Sequence, residues 1–340
     1  MSNEKQVLEQ LEQQIMAADI PDTEKNKMIK NFLKLKEQKI NLMITGATGC
    51  GKSSTINALF NTEVAAVGVG VDPETMDITR YDMGNLILWD SPGLGDGKEA
   101  DNRHAKNIIK KLTERDENGD FLIDLVLVIL DGGSRDLGTS YELINSVIIP
   151  NLGEEKSERL LVAINQADVA MKGRYWNSET SQPEPPLVKF LDDKAESVKR
   201  RIREATGVDV DPIYYSAGFK EEGLPQEKPY NLSKLLYYII KFTPKKKRIL
   251  YVQNMNQDQE VWKSNDELKD YNQGILASFL DSVGESISEG ADIGGGIGSV
   301  LGPVGEAVGS VVGGVVGGAV GVVGTVLSGI GGFFSGLFGW

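Results

Sequence analysis

Apolar residues recur along this chain in rhythms that change from one stretch to the next. From residue 3 to residue 39 they fall at helical spacing, at Val7, Leu8, Leu11 and Ile15 and again at Met28, Ile29, Phe32, Leu33 and Leu35, among Glu, Lys and Gln. That spacing predicts two amphipathic helices separated near Pro21-Asp22, with Asp22 or Thr23 as the second N-cap. Such a pair either packs on a larger domain or serves as a docking or dimerising element. Between residues 39 and 244 short apolar runs alternate with helical patterns. Ile40–Thr45, Arg159–Asn165 and a short run over Asp211–Ala217 read as strands, and Met76–Tyr81 and Leu86–Asp90 as an antiparallel pair turning across Asp82–Asn85. Asp124–Leu130 is continuously apolar after its first residue, the mark of a strand buried on both faces. Helices are expected over Ser54–Phe60, near 99–115 and 139–148, over Leu187–Ala205 and over Asn231–Phe242, while Asn61–Asp77 shows no period. The alternation predicts an α/β three-layer sandwich around a mostly parallel six-stranded sheet, with ligand at the C-terminal strand ends.

The pattern then changes in kind. Residues 250–289 read as polar and helical, with Leu268, Tyr271, Ile275, Leu276, Phe279, Leu280 and Val283 at helix-like spacing. Beyond Gly290 the ionisable side chains are Asp292 and Glu306, and none follows from Ala307 to Trp340. Gly305, Gly309, Gly313, Gly317 and Gly321 fall at every fourth residue, after an earlier run of Gly294, Gly298 and Gly302 broken by Pro303. On a helix this spacing cuts a groove that admits a second backbone, as in membrane helices. The uncharged stretch exceeds the roughly 20 residues that span a bilayer, and Phe333, Phe334, Phe338 and Trp340 suit an interface. A self-packed or oligomerising helical hairpin and a flexible appendage are the alternatives. The expected organisation is a helical N-terminal segment (1–38), a nucleotide-binding domain (39–244), a helical linker (245–290) and glycine-rich C-terminal helices (291–340).

The domain assignment comes from Gly46-Ala47-Thr48-Gly49-Cys50-Gly51-Lys52-Ser53, set between the first strand and its helix. Glycines in that context let backbone N–H groups wrap a phosphate chain at a helix N-terminus. Lys52 is expected to reach the β- and γ-phosphates, Ser53 to be a ligand for Mg2+, and Ser54 to be the last nucleotide-binding residue of the loop. Two later strands end in motifs that complete such a site. Asp90-Ser91-Pro92-Gly93 supplies a carboxylate for the magnesium and, at Gly93, an N–H for the γ-phosphate. Asn165-Gln166-Ala167-Asp168 supplies a carboxylate, Asp168, that matches the paired ring N–H and amine of guanine. Tyr215-Ser216-Ala217, after the last strand, resembles the Ser-Ala loop whose backbone N–H contacts the guanine carbonyl, a short match that counts because the others precede it.

Together these stretches resemble the guanine-nucleotide motifs of the Era-like branch of the translation-factor-related P-loop GTPases. Gly51–Leu59 is close to that group's Gly-Lys-Ser-Ser-Leu-x-Asn-x-Leu signature. It is also similar to septin-like and chloroplast-import GTPases, and Asp90–Gly97 resembles bacterial GTPases described as ribosome-binding-like. The resemblance implies GTP hydrolysis to GDP and phosphate with Mg2+ as cofactor. It implies a switch threonine too, for which Thr75 is the candidate and Thr79 the second choice, so that Ser53, Thr75 and Asp90 form the metal set. Two positions depart from the pattern. Gln166 stands where lysine is customary, and Leu94 where Ras-like relatives carry a water-orienting glutamine. Gly49 occupies the position of the asparagine that holds potassium in some relatives. No catalytic residue is assigned, and slow turnover is expected without a partner.

Composition narrows the partners. The net charge of −13 disfavours nonspecific nucleic-acid binding, although Lys245-Lys246-Lys247-Arg248 is a local basic cluster. One cysteine, Cys50, forbids an intrachain disulfide; in the P-loop it is either activated by the helix N-terminus or simply a small residue. His104, the sole histidine, is expected on a solvated helix face. The N-terminus carries no secretory signal pattern, which fits a cytoplasmic protein. The expected activity is a GTP-controlled switch for membrane association, through lipid contact by residues 291–340, or for homodimer or higher-oligomer assembly. A GTP-gated pore-forming effector and a ribosome-associated GTPase are the alternatives.

Overall fold

The computed structural model describes residues 4–17, 21–60, 78–218 and 228–288. The whole aperiodic segment Asn61–Asp77, with Thr75 in it, and the glycine-rich stretch 291–340 lie outside them. The sheet has six strands in the order β2-β3-β1-β4-β5-β8. These are β1 (Ile40–Thr45), β2 (Thr79–Met83), β3 (Leu86–Asp90), β4 (Leu125–Asp131), β5 (Leu160–Asn165) and β8 (Ile213–Tyr214). Only β2 runs antiparallel, paired with β3 from Thr79↔Asp90 to Met83↔Leu86. The α/β expectation holds: parallel strands need crossovers, and the helices that make them cover both faces.

The two-residue alternation of the strands sorts the core. Leu42, Ile44, Leu125, Leu127 and Ile129 face one layer, with α3 (Lys52–Leu59) and α7 (Leu232–Phe242). Met43, Val126, Val128 and Leu130 face the other, with α4 (Lys98–Thr113), α5 (Gly138–Glu142) and α6 (Pro185–Thr206). α5 continues as a π turn over Leu143–Ile148 and a 3-10 turn over Ile149–Asn151, in which Pro150 has no N–H to extend the helix. A small hairpin of β6 (Trp176–Asn177) and β7 (Gln182–Pro183), unforeseen from the pattern, follows β5. The last strand is shorter than Asp211–Ala217 because Pro212 donates no ladder bond and Ser216 pairs instead with Tyr230.

The two ends of the described chain join the first layer. α1 (Glu4–Ala17) and α2 (Asp22–Glu37) bury Leu8, Leu11, Ile15, Met28, Phe32 and Leu35. They pack on a 3-10 segment, Lys245–Gln253, and on α8 (Tyr271–Ser288). The N-cap of α2 is Pro21, not Asp22 or Thr23; Asp22 is already helical and adds its charge to the first turn. The expected helix over 250–289 begins only at Tyr271. Before it, Asn256 accepts from Asp258 N–H at 2.9 Å, Asp258 from Glu260 N–H at 3.0 Å and Asn265 from Glu267 N–H at 2.8 Å. These local side-chain acceptors compete with helix formation, and Leu268 stays 74% exposed. The basic cluster is used structurally: Lys247 pairs with buried Asp124 at 2.8 Å, Lys245 pairs with Glu285 at 2.9 Å, and Arg248 donates to the carbonyls of Thr243 and Lys241.

Candidate functional site

The sequence motifs converge at the C-terminal edge of the parallel strands, where the loops after β1, β3, β4, β5 and β8 meet. Ser91 N–H donates to Ile44 C=O at 2.9 Å, Gly132 N–H to Asn165 C=O at 2.8 Å, and Ala167 N–H to Tyr215 C=O at 3.1 Å. Asn165 ties three motifs together. Its amide donates to Cys50 C=O at 2.9 Å, and its side-chain oxygen accepts from Ala217 N–H at 3.0 Å. Gly51, at φ +89°, makes this possible, because a Cβ there would stand 2.2 Å from the Asn165 amide nitrogen. Asn165 is therefore a buried bracket that holds the P-loop to the loop after β8.

Around the phosphate loop, Gly46 and Cys50 are buried, and Thr48, Gly49, Ser53 and Ser54 are exposed. Lys52 donates to Gly46 C=O at 2.8 Å and to Ala47 C=O at 3.4 Å. Burial raises the Cys50 thiol pKa, a stronger influence than the nearby Lys52 charge that lowers it. The activated-thiol reading is thereby corrected: at neutral pH Cys50 is an inert, packed thiol. Gly93 lies against the P-loop; a Cβ on it would fall 2.7 Å from Gly46 C and O. Asp90 holds one buried carboxylate oxygen with no hydrogen-bond partner among the described residues. Burial raises its pKa, and Lys52 pulls it back down.

In the loop after β5 Asp168 is 7% exposed. Gln166 adopts φ +63° and donates from its amide to Gly49 C=O at 2.7 Å, so its side chain crosses from that loop to the P-loop. Ser216 is buried, its N–H donates to Tyr230 C=O at 3.0 Å, and its hydroxyl accepts from Gly218 N–H at 3.2 Å. The Ser216 and Ala217 N–H groups are thus engaged within the protein. Thr55, whose hydroxyl donates to Gly51 C=O at 2.8 Å, lies 2.6 Å from the Tyr215 hydroxyl, packing the P-loop helix on the last strand. Burial drives the Tyr215 pKa up, so this phenol stays protonated.

Several residues of the site escaped the sequence reading. Lys194 on α6 donates to the carbonyls of Asp131, Gly132 and Ser134 at 3.1, 2.6 and 2.7 Å, pinning the loop after β4. His104 is 6% exposed, not solvated; its Nδ1 lies 3.2 Å from Gly93 C=O. The signal was its four-residue spacing from Ile108 and Leu112, which puts it on the buried stripe of α4. Leu94 is buried beside those residues in the second layer.

Sequence comparison bears on the same region. Residues 4–123 match the family model for interferon-inducible GTPase (IIGP), which takes in α1 and α2 as well as the first half of the sheet. That match covers just over a third of the chain. Among similar proteins, an uncharacterised protein YkfA of Escherichia coli (strain K12) is 28% identical over 157 residues, 45% of this chain and 50% of that protein. Interferon-inducible GTPase 1 of Mus musculus is 39% identical over 77 residues, 21% of this chain and 19% of that protein. The chain thus spans half the length, or less, of these relatives. A crystal structure of Toc33 from Arabidopsis thaliana with Mg2+ and GMPPNP superposes on 59% of this chain and 82% of that one, at 18% identity and a TM-score of 0.38. That score adds nothing to the topology argued above.

Proposed function

We propose that this chain binds GTP and hydrolyses it to GDP and phosphate, and that it belongs to the Era-like branch of its family. The observation that supports this reading is the bracket at Asn165, three residues before Asp168 in the same motif, which joins the P-loop at Cys50 to the Ser216-Ala217 loop. Guanine would be read by Asp168, whose carboxylate is buried at the end of β5. A base offering an acceptor there would leave a desolvated charge unmatched.

Magnesium fits the residues present. Asp90 contributes a buried oxygen without a partner, and Ser53 an exposed hydroxyl on the first turn of α3. Both are hard oxygen donors, and Mg2+ in phosphate sites takes one or two protein ligands beside phosphate and water. When bound, the ion would neutralise charge on the β- and γ-phosphates. Thr75 remains our candidate for the third protein ligand. No side chain in the Gly93-Leu94 peptide can orient water, since Leu94 is apolar and buried, so slow turnover without a partner is part of the proposal.

Asp168→Asn tests the base assignment. Asparagine presents a donor as well as an acceptor, so xanthosine triphosphate should compete at least about tenfold better than GTP in the variant and worse in the parent. Unchanged competition would remove Asp168 from base recognition.

The proposed output is nucleotide-controlled membrane association or self-assembly through residues 291–340. No helix among the described residues is long and apolar enough to cross a membrane, which leaves lipid contact to be tested on the uncharged stretch. The stretch follows α8, whose last turn is tied to α2 by Asn31 Nδ2 donating to Ile287 C=O at 3.2 Å. In liposome flotation the full chain with a nonhydrolysable GTP analogue should float more than with GDP, and a chain ending at Gly290 should not float. Equal flotation of all samples would sink the coupling.

A further inference from the structure

We infer that His104 and Asp101, on the first turns of α4, are positioning residues that aim the Gly93 peptide at the terminal phosphate; this rests on the GTP reading above. Gly93 must be glycine because its backbone lies against Gly46 and Ala47, where a Cβ would fall 2.7–2.8 Å from their atoms. Glycine permits the approach but leaves φ and ψ loosely restrained. An N–H that is to recognise a phosphate oxygen needs a fixed direction, so something outside the glycine must hold the loop.

α4 holds it from three sides. The Gly93 carbonyl can only accept, so the His104 imidazole carries its hydrogen on Nδ1 and donates across 3.2 Å. Asp101 stands one turn earlier and accepts with one carboxylate oxygen from Gly95 N–H at 2.8 Å and Asp96 N–H at 3.0 Å. Between these anchors Leu94 is sunk into the core beside Ile108 and Leu112 of the same helix. The Asp96 carboxylate also lies 4.0 Å from His104 Nδ1. The loop from Gly93 to Asp96 is therefore clamped to the helix by a side-chain donor, a side-chain acceptor and an apolar plug. None of the three touches the nucleotide site directly, so their effect on it runs through the Gly93 backbone.

A clamp of this kind predicts discrimination between nucleotides that carry and lack the γ-phosphate. The full chain is titrated with GDP and with a nonhydrolysable GTP analogue in the presence of Mg2+. In His104→Ala the preference for the analogue over GDP should fall about five- to tenfold while GDP affinity holds, the scale of one lost hydrogen bond. His104→Gln, whose amide can donate to the same carbonyl, should recover most of the preference. Asp101→Ala, which frees two N–H groups of the same loop, should lose it with the same sign. If His104→Ala does not fold, His104→Gln and Asp101→Ala still decide the matter. Equal weakening of both nucleotides, or an unchanged preference in both alanine variants, overturns the assignment. A wild-type chain that binds neither nucleotide overturns the GTP reading and takes this inference with it, whereas intact binding with unchanged preference removes this inference alone.

Discussion

Replacing Lys52 by alanine should weaken both GTP and GDP by about a hundredfold while leaving the nucleotide-free fold nearly as stable as before. A charge-assisted hydrogen bond contributes about 1.5–3 kcal/mol, and each 1.4 kcal/mol is a factor of ten in affinity. Among the described residues Lys52 donates to the carbonyls of Gly46 and Ala47, at 2.8 and 3.4 Å. Both are neutral carbonyl acceptors in part-buried contacts, so the loss to folding should be about 1 kcal/mol, the scale of one such hydrogen bond. Isothermal titration and a urea melt of the same preparation separate the two effects. A variant that binds normally would show that Lys52 does not face the phosphates, and a variant that unfolds would show that the loop depends on it for structure.

The second large effect is expected at the opposite edge of the sheet. Lys247 is the main countercharge of Asp124, which also accepts from Asn41 N–H at 2.8 Å. Burial raises the Asp124 pKa, and Lys247, Asn41 and Arg159 oppose that rise. Lys247→Ala should cost about 3 kcal/mol at neutral pH, because it leaves a buried carboxylate without its partner. The deficit should depend on pH in a defined direction. An acid whose folded pKa lies above its unfolded value stabilises the fold below the unfolded pKa and loses that contribution as pH rises through the folded one. Removing Lys247 lifts the folded pKa further, so the deficit should be small near pH 4, close to the ordinary carboxylate value, and grow toward pH 7. Urea denaturation of parent and variant across that range reads it directly. A deficit that stays constant with pH would trace the loss to packing of the lysine stem.

How much was legible beforehand follows from which forces are local. The run through Leu130 announced a central strand because both faces of β4 are covered, and all but its last residue are buried. The antiparallel pair β2–β3 was visible because a short turn with Gly84 joins two strand-like runs. The motifs of the site were legible for the same reason: each is a short string at a strand end. What the sequence concealed depended on tertiary partners. His104 looks like one polar residue among many on α4 until the Gly93 carbonyl is placed above it. For Cys50 the sequence offered two readings, and burial, which outweighs the nearby lysine, agrees with the small packed residue. The break in the expected helix over 250–289 came from Asn256, Asp258 and Asn265, each capturing a nearby N–H that a helix would have needed.

The meeting of α2 with α8 also governs the order in which the molecule can be made. Asn31 and Ile287, joined by a hydrogen bond, lie 256 positions apart in the chain. At about 5–20 residues per second of synthesis, α1 and α2 would wait roughly 15–50 s for the helix that covers them. Until then Leu8, Leu11, Ile15, Met28, Phe32 and Leu35 lack Ile275, Phe279, Val283 and Ile287, their companions in the finished core. A nascent chain in that interval carries an uncovered apolar stripe on α1 and α2, the kind of surface that chaperones shield. The P-loop, by contrast, has its strands in place as soon as β8 is complete. The pairing of α2 with α8, and not the P-loop, sets the moment at which this core can close.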